Sequence, residues 1–175
     1  MNEILNAIKT RRSCRAFKPD MPPQEVIDQI CEAGTYAATG KNHQSPVIIA
    51  VKDKALRDQL SAMNARIMGK DESFDPFYGA PVVLIVLADK AFPTYLYDGS
   101  LVMGNLMLAA HALGMGSCWI HRAKEEFAAD ECKDILRELG IEGNYEGIGH
   151  CVIGYEAASP REASDRKEGY IHQIG

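Results

Sequence analysis

The sequence is short of the signatures that declare a chemistry on their own. Its cysteines, Cys14, Cys31, Cys118, Cys132 and Cys151, are five in number, widely spaced and without any C-x-x-C. That excludes a disulfide framework and the usual zinc or iron–sulfur ligand sets, and it points to free thiols in a reducing, cytoplasmic setting. The histidines, His43, His111, His121, His150 and His172, include no H-E-x-x-H or comparable ligand spacing, so no metal is expected. No G-x-S-x-G elbow marks a hydrolase nucleophile. Gly114-Met115-Gly116 begins a dinucleotide fingerprint, but Trp119 stands where the third glycine belongs, and the run closes a helix instead of opening one. A helix stop is the better reading. The opening MNEILNAIKT has no apolar core of the kind a signal peptide needs.

What is present suits one α+β domain spanning residues 1–175. At 46% hydrophobic and 25% charged, the chain can bury a proper core. A net charge of -5 argues against nucleic acid or an anionic membrane as partner. Against that acidic background, KTRRSCRAF gathers Arg11, Arg12 and Arg15 around Ser13 and Cys14. Guanidinium forks beside a hydroxyl suit a phosphate. Three or four charge-assisted hydrogen bonds sum to about 5–10 kcal/mol, enough for micromolar binding. The same residues also read as the solvated end of a helix, and this stretch alone leaves both readings open. Cations around Cys14 would favour its thiolate, though a packed bystander is the simpler reading.

The pattern along the chain predicts helices over 2–11, from Pro22 to Ala38, over 54–68 with Leu56, Leu60, Met63 and Ile67 inward, and over 124–139 with solvated acids at its start. Apolar runs predict strands at 47–51, 82–88, 116–120 and 147–155, with a further one at 169–174 that has no evident partner. Thr39–Pro46 and Gly69–Pro81 read as loops. Thr94–Gly114 is apolar on most sides. Asp98, Asn105 and His111 exclude a membrane span, which leaves a central helix buried on nearly all faces, partly by a second subunit, with His111 in the core.

In order, these pieces resemble the FMN-dependent nitroreductase family over nearly the whole chain. The matching residues are Arg11-Arg12-Ser13-Cys14-Arg15, the small residues from Ala37 leading to Asn42-His43-Gln44, Ala80-Pro81-Val82, and Leu113 to Gly116 followed by Ser117-Cys118-Trp119. Gly154-Tyr155 and Arg166 complete the set. The resemblance implies a central, mostly antiparallel sheet flanked by helices, and a homodimer that exchanges its C-terminal strand. It implies FMN with its phosphate and ribityl end held by Arg11, Arg12, Ser13 and Arg166. Arg15 would lie near the N1/O2 edge and stabilise the reduced ring electrostatically. Trp119, Ile120, His121 and Arg122 would approach from the N5 side, and the partner would lend Asn42 and Gln44. NAD(P)H would reduce the flavin, and a nitroaromatic, quinone or similar small acceptor would reoxidise it in a ping-pong cycle. Gln44 is followed by Ser45-Pro46-Val47 where the family has proline and an aromatic, and 64–78 offers only Asn64 as a weak ring-contact candidate. A flavin-binding sensor without catalysis and a hydrolase using Cys14 or a serine are the rival readings.

Overall fold

The most β-branched run of the chain becomes the centre of its sheet. In the computed structural model, which describes residues 2–175, the strands are β1 (Pro46–Val51), β2 (Val82–Asp89), β3 (Gly116–Ile120) and β4 (Tyr145–Gly154). They form one sheet in the order β1-β2-β4-β3, antiparallel throughout. The described helices are α1 (Glu3–Thr10), α2 (Gln24–Thr35), α3 (Lys54–Ile67), α4 (Tyr95–Ala112), α5 (Ala123–Ala128) and α6 (Asp130–Glu138). Alternation along β2 sends its side chains to both faces. Val83, Ile85 and Leu87 meet Leu60 and Met63 of α3, Phe127 of α5 and Leu136 of α6. Val82, Leu84 and Val86 meet Ile27 and Ile30 of α2 and Val102, Met103 and Leu106 of α4. Each such side chain contributes about 1.5–3 kcal/mol by leaving water. The two apolar layers hold the sheet rigid between them.

Four differences from the sequence reading have physical causes. The helix expected over 124–139 is two helices, because Ala129 adopts extended angles (φ -76°, ψ 147°). Phe127 and Cys132 are five residues apart and would face different sides of one straight helix; the break lets both reach the core. Ile67 is exposed, since α3 ends where the chain leaves the sheet. Residues 169–174 form no strand and lie exposed in the single chain. Finally, His111 is half-buried at the helix end and not in the core, bonded through Nε2 to Thr10 Oγ1 at 2.9 Å, while the outward Leu96, Tyr97 and Leu101 of α4 lie on the side that the sequence reading left for a second subunit.

Two local devices fix the ground on which the site stands. Between β2 and β4 the register slips at Val86/Leu87, where Ile148 is the extra residue. Gly147 beside the bulge lies against the start of α5; a Cβ there would sit 2.1 Å from the Ala123 carbonyl oxygen. The other device is Asp75, which folds the 69–81 loop onto α3. Its carboxylate takes Arg57 Nη2 at 2.5 Å, Ser61 Oγ at 2.7 Å, and the backbone N–H groups of Phe77 (2.9 Å) and Gly79 (2.7 Å). Burial by itself would raise the Asp75 pKa, but these donors outweigh it and hold the carboxyl below the usual aspartate range.

The sign of the pH effect follows. A depressed folded pKa stabilises above the unfolded value of about 3.9 and loses that benefit as pH falls through the folded value. Asp75→Asn is therefore expected to cost about 1.5–3 kcal/mol in urea unfolding at pH 7. The gap from wild type should narrow below about pH 4. An equal gap at pH 7 and pH 3 would show that the charge plays no part.

Candidate functional site

The arginine cluster is held in place by a ribbon, not by its helix. Asn2 Oδ1 caps α1 by accepting from the N–H groups of Ile4 and Leu5. Arg11 then turns out of the helix with extended angles (φ -55°, ψ 131°). From there Ser13 pairs in parallel with Ser117 of β3, and Cys14 N donates to Ser117 O at 2.9 Å. Phe17 pairs with Glu156, Lys18 N donates to Tyr155 O, and Ala157 N to Ala16 O. Residues 11–18 thus run extended between the edge strand and the segment that follows β4. Cys14 and Phe17 are pinned into the core, while the arginines stay outside it.

The tail runs beside this ribbon and borders an open cavity of about 750 Å³. Its lining brings together Arg11, Arg12, Ser13 and Arg15 from the ribbon and Arg161 and Arg166 from the tail, with Glu162 as the one acid among the lining residues. The two readings of the cluster divide between two residues. Arg12 Nη1 donates to Lys9 O (2.8 Å) and Arg11 O (2.7 Å), so it closes the helix end. Arg11 Nη1 is buried without any partner. A buried donor left unpaired costs on the order of 1–3 kcal/mol, and more when charged. Arg11 as a residue still lines the cavity, and the cavity lies in the size range of small-molecule sites. Arg161 escaped the sequence reading because it stands alone in a polar tail.

Arg15 also lines a second hollow, of about 150 Å³, with Cys118, Trp119, Ile120, His121 and Arg122 at the end of β3 and with Phe74 and Tyr78 from the loop that Asp75 folds. Arg122 there is in the left-handed region (φ 79°), a costly conformation for a side chain of this size and a frequent mark of a functional turn. The Trp119 ring packs in the core on the α2/α4 side, over Gly149. Burial pushes the Cys118 thiol up; Arg15, a hydrogen bond with Ser13 and Arg11 pull it partway back. Cys14 is raised as well, chiefly by burial, and its Sγ donates to Ala16 O at 3.1 Å. Cys14 is thus the packed bystander of the simpler reading, which counts against it as a hydrolase nucleophile. Asn64 does not line the hollow; it is fully buried behind it.

Asn42 and Gln44 are not brought to the arginine cavity. They lie exposed on a separate loop, where Lys41 (φ 49°), Asn42 (57°) and Gln44 (51°) are all left-handed. The loop is nonetheless fixed. Buried Asp98 of α4 accepts from Gly40 N at 3.0 Å and from Thr94 Oγ1 at 2.9 Å, and Gln44 N donates to Thr39 Oγ1. Three strained residues on a tethered, exposed loop suit contact with something outside this chain. Among the described residues, no helix is long and apolar enough to cross a membrane, and no cluster of metal-ligating side chains occurs.

Residues 8–155 match the family described as the Nitroreductase family. A protein of Archaeoglobus fulgidus, named provisionally as an NADH dehydrogenase/NAD(P)H nitroreductase, is 30% identical over 171 residues, covering 94% of this chain and 90% of its own. An FMN reductase [NAD(P)H] of Bacillus subtilis is 24% identical over 202 residues, covering 99% and 76%. Among solved structures, a nitroreductase with bound FMN from Bacteroides fragilis superposes with a TM-score of 0.91 at 28% identity over 100% of both chains. Another with bound FMN, from Desulfitobacterium hafniense, gives 0.86 at 27% identity over 99% of this chain and 100% of its own.

Occupancy of the arginine cavity can be tested without any cofactor. Inorganic phosphate should raise the melting temperature of the ligand-free protein beyond the effect of chloride at equal ionic strength, and Arg11→Ala should cancel the rise. Identical curves in phosphate and chloride would count against an anion site.

Proposed function

The chain belongs to the nitroreductase family, and on that premise we propose that it is an FMN-dependent oxidoreductase, carrying two electrons from NAD(P)H to a nitroaromatic, a quinone or a similar small acceptor. The observation that carries this reading is the five-arginine cavity that Arg15 joins to the hollow at the end of β3. Bound FMN would supply the two-electron chemistry, hydride acceptance and its return to a second substrate. Everything else is supplied by this chain. Arg11, Ser13 and Arg166 hold the phosphate and ribityl end, with Arg161 beside them and Arg12 tying their ribbon to α1. Arg15 keeps a fixed positive charge where the reduced ring gathers negative charge. The turn at Trp119–Arg122 borders the ring. Reductant and acceptor would use the one site in succession, a ping-pong order, and hydride transfer there would need no acid–base side chain.

The working unit in this proposal is a cytoplasmic homodimer. The bare side of α4 (Leu96, Tyr97, Leu101) supports it, as does the fixed, strained loop that presents Asn42 and Gln44 away from this chain's own arginines. A second subunit would cover the helix, receive that loop at its flavin, and pair with residues 169–174 as the exchanged strand.

The purified protein should be yellow, and NADH or NADPH should bleach it under anaerobic conditions. Yellow protein that neither bleaches would be a flavin binder without the enzyme activity. Arg11→Ala is expected to weaken FMN binding about 10- to 100-fold, the loss of one charge-assisted contact. Arg15→Ala should retain most FMN but slow its reduction about tenfold, near 1.4 kcal/mol at the barrier. Equal rates in stopped-flow reduction would remove that role.

A further inference from the structure

Three polar side chains with no solvent exposure sit together in the apolar layer formed by α3, α5 and α6: Asn64, Glu126 and His150. The acid-rich start of the 124–139 segment read as solvated, yet Glu126 is completely buried. His150 Nε2 lies 2.6 Å from Glu126 Oε2, and the Phe77 ring stands edge-on to the imidazole at 5.3 Å. The approach of the pair is close but poorly aligned: His150 Nδ1 and Nε2 and Glu126 Oε2 all lack a well-formed hydrogen bond. Apolar residues of similar volume would often serve stability as well or better at such a place. Polar groups kept there call for another reason.

Their contacts converge on one turn. Asn64 Nδ2 donates to Glu126 Oε1 at 2.6 Å and to His121 O at 2.9 Å. Asn64 Oδ1 accepts from Arg122 Nε at 2.8 Å. Arg122 O in turn accepts from Glu126 N at 3.0 Å. One buried amide therefore grips the left-handed turn on two sides, and Glu126, braced by His150, holds that amide. The turn's other face borders the hollow shared with Arg15.

We propose that Asn64, Glu126 and His150 form one buried positioning unit that locks the His121–Arg122 turn and thereby sets the protein's preference for reduced over oxidised FMN. This rests on the FMN reading given above. Asn64 acts from behind the turn and need not touch the cofactor. Arg122 lines that hollow together with Arg15 and is fixed there by Asn64, so a locked turn keeps a second positive charge where the reduced ring would gather negative charge. Because a bound flavin's potential follows the ratio of its oxidised to its reduced dissociation constant, a loosened turn makes that ratio smaller and the potential more negative.

The test measures FMN dissociation constants for both oxidation states, and amide exchange across residues 121–124 in the FMN-free protein. Asn64→Ala should speed that exchange and reduce the oxidised-to-reduced ratio about tenfold, equivalent to about 30 mV for a two-electron couple. The double variant Glu126→Leu/His150→Phe makes the pair apolar; it should keep or raise the melting temperature yet cause the same two changes. Met63→Ala, a cavity in the same layer away from the turn, should lower the melting temperature and leave the ratio alone. The proposal is overturned if the folded Asn64 variant, or the apolar double variant where Asn64→Ala does not fold, keeps the wild-type ratio within twofold. It is also overturned if Met63→Ala shifts the ratio as far. Wild-type protein that takes up no FMN would instead defeat the functional reading itself, and this proposal with it.

Discussion

A single parallel pairing, Ser13 against Ser117, decides where the arginines are. Helix α1 has no buried residue and cannot place them itself. The ribbon does so because Cys14 and Phe17 enter the core on either side of Arg15 and because its backbone is bonded both to β3 and to the segment after β4. Extended backbone then carries the cationic side chains along the edge of a rigid sheet. Removing that pairing would leave the same charges on a floppy tether, able to attract an anion but not to orient one.

The acidic chain and its basic cavity are parts of one arrangement. A net charge of -5 gives no general attraction for polyanions, while the local excess of arginine creates a strong field over one opening. Arg12 is used up on the carbonyls at the end of α1, while Arg11, free of those carbonyls, lines the cavity and keeps a buried nitrogen unmet. Neighbours in sequence thus part: Arg12 closes the helix, and Arg11 lines the cavity.

The sequence carried most of the architecture because strands and helices follow local period, and β2 is apolar on both faces as a central strand must be. The arginine motif was legible through its order relative to later motifs. Arg161 was not, for a lone cation in a polar tail has no pattern. Nor was the unit of Asn64, Glu126 and His150, whose members lie on three elements and meet only in space. Glu126 also sits among acids that belong to solvent, and only its place on α5, packed against Asn64 and His150, shows it to be buried. His111 drew attention as the histidine of an apolar helix, whereas the buried one, His150, hid in a strand between glycine and cysteine.

The outward side of α1 bears Ile4, Leu5 and Ile8, each more than half exposed, on a helix of eight residues. So short a helix is marginal in water by itself. Whatever surface shelters those three side chains also steadies the last turn, from which Arg11 departs. In the proposed dimer, association and anion affinity would then be linked by mass action: dilution that stripped α1 of its shelter would loosen the grip on the ligand, and a saturating ligand would hold the assembly together at concentrations where it would otherwise come apart.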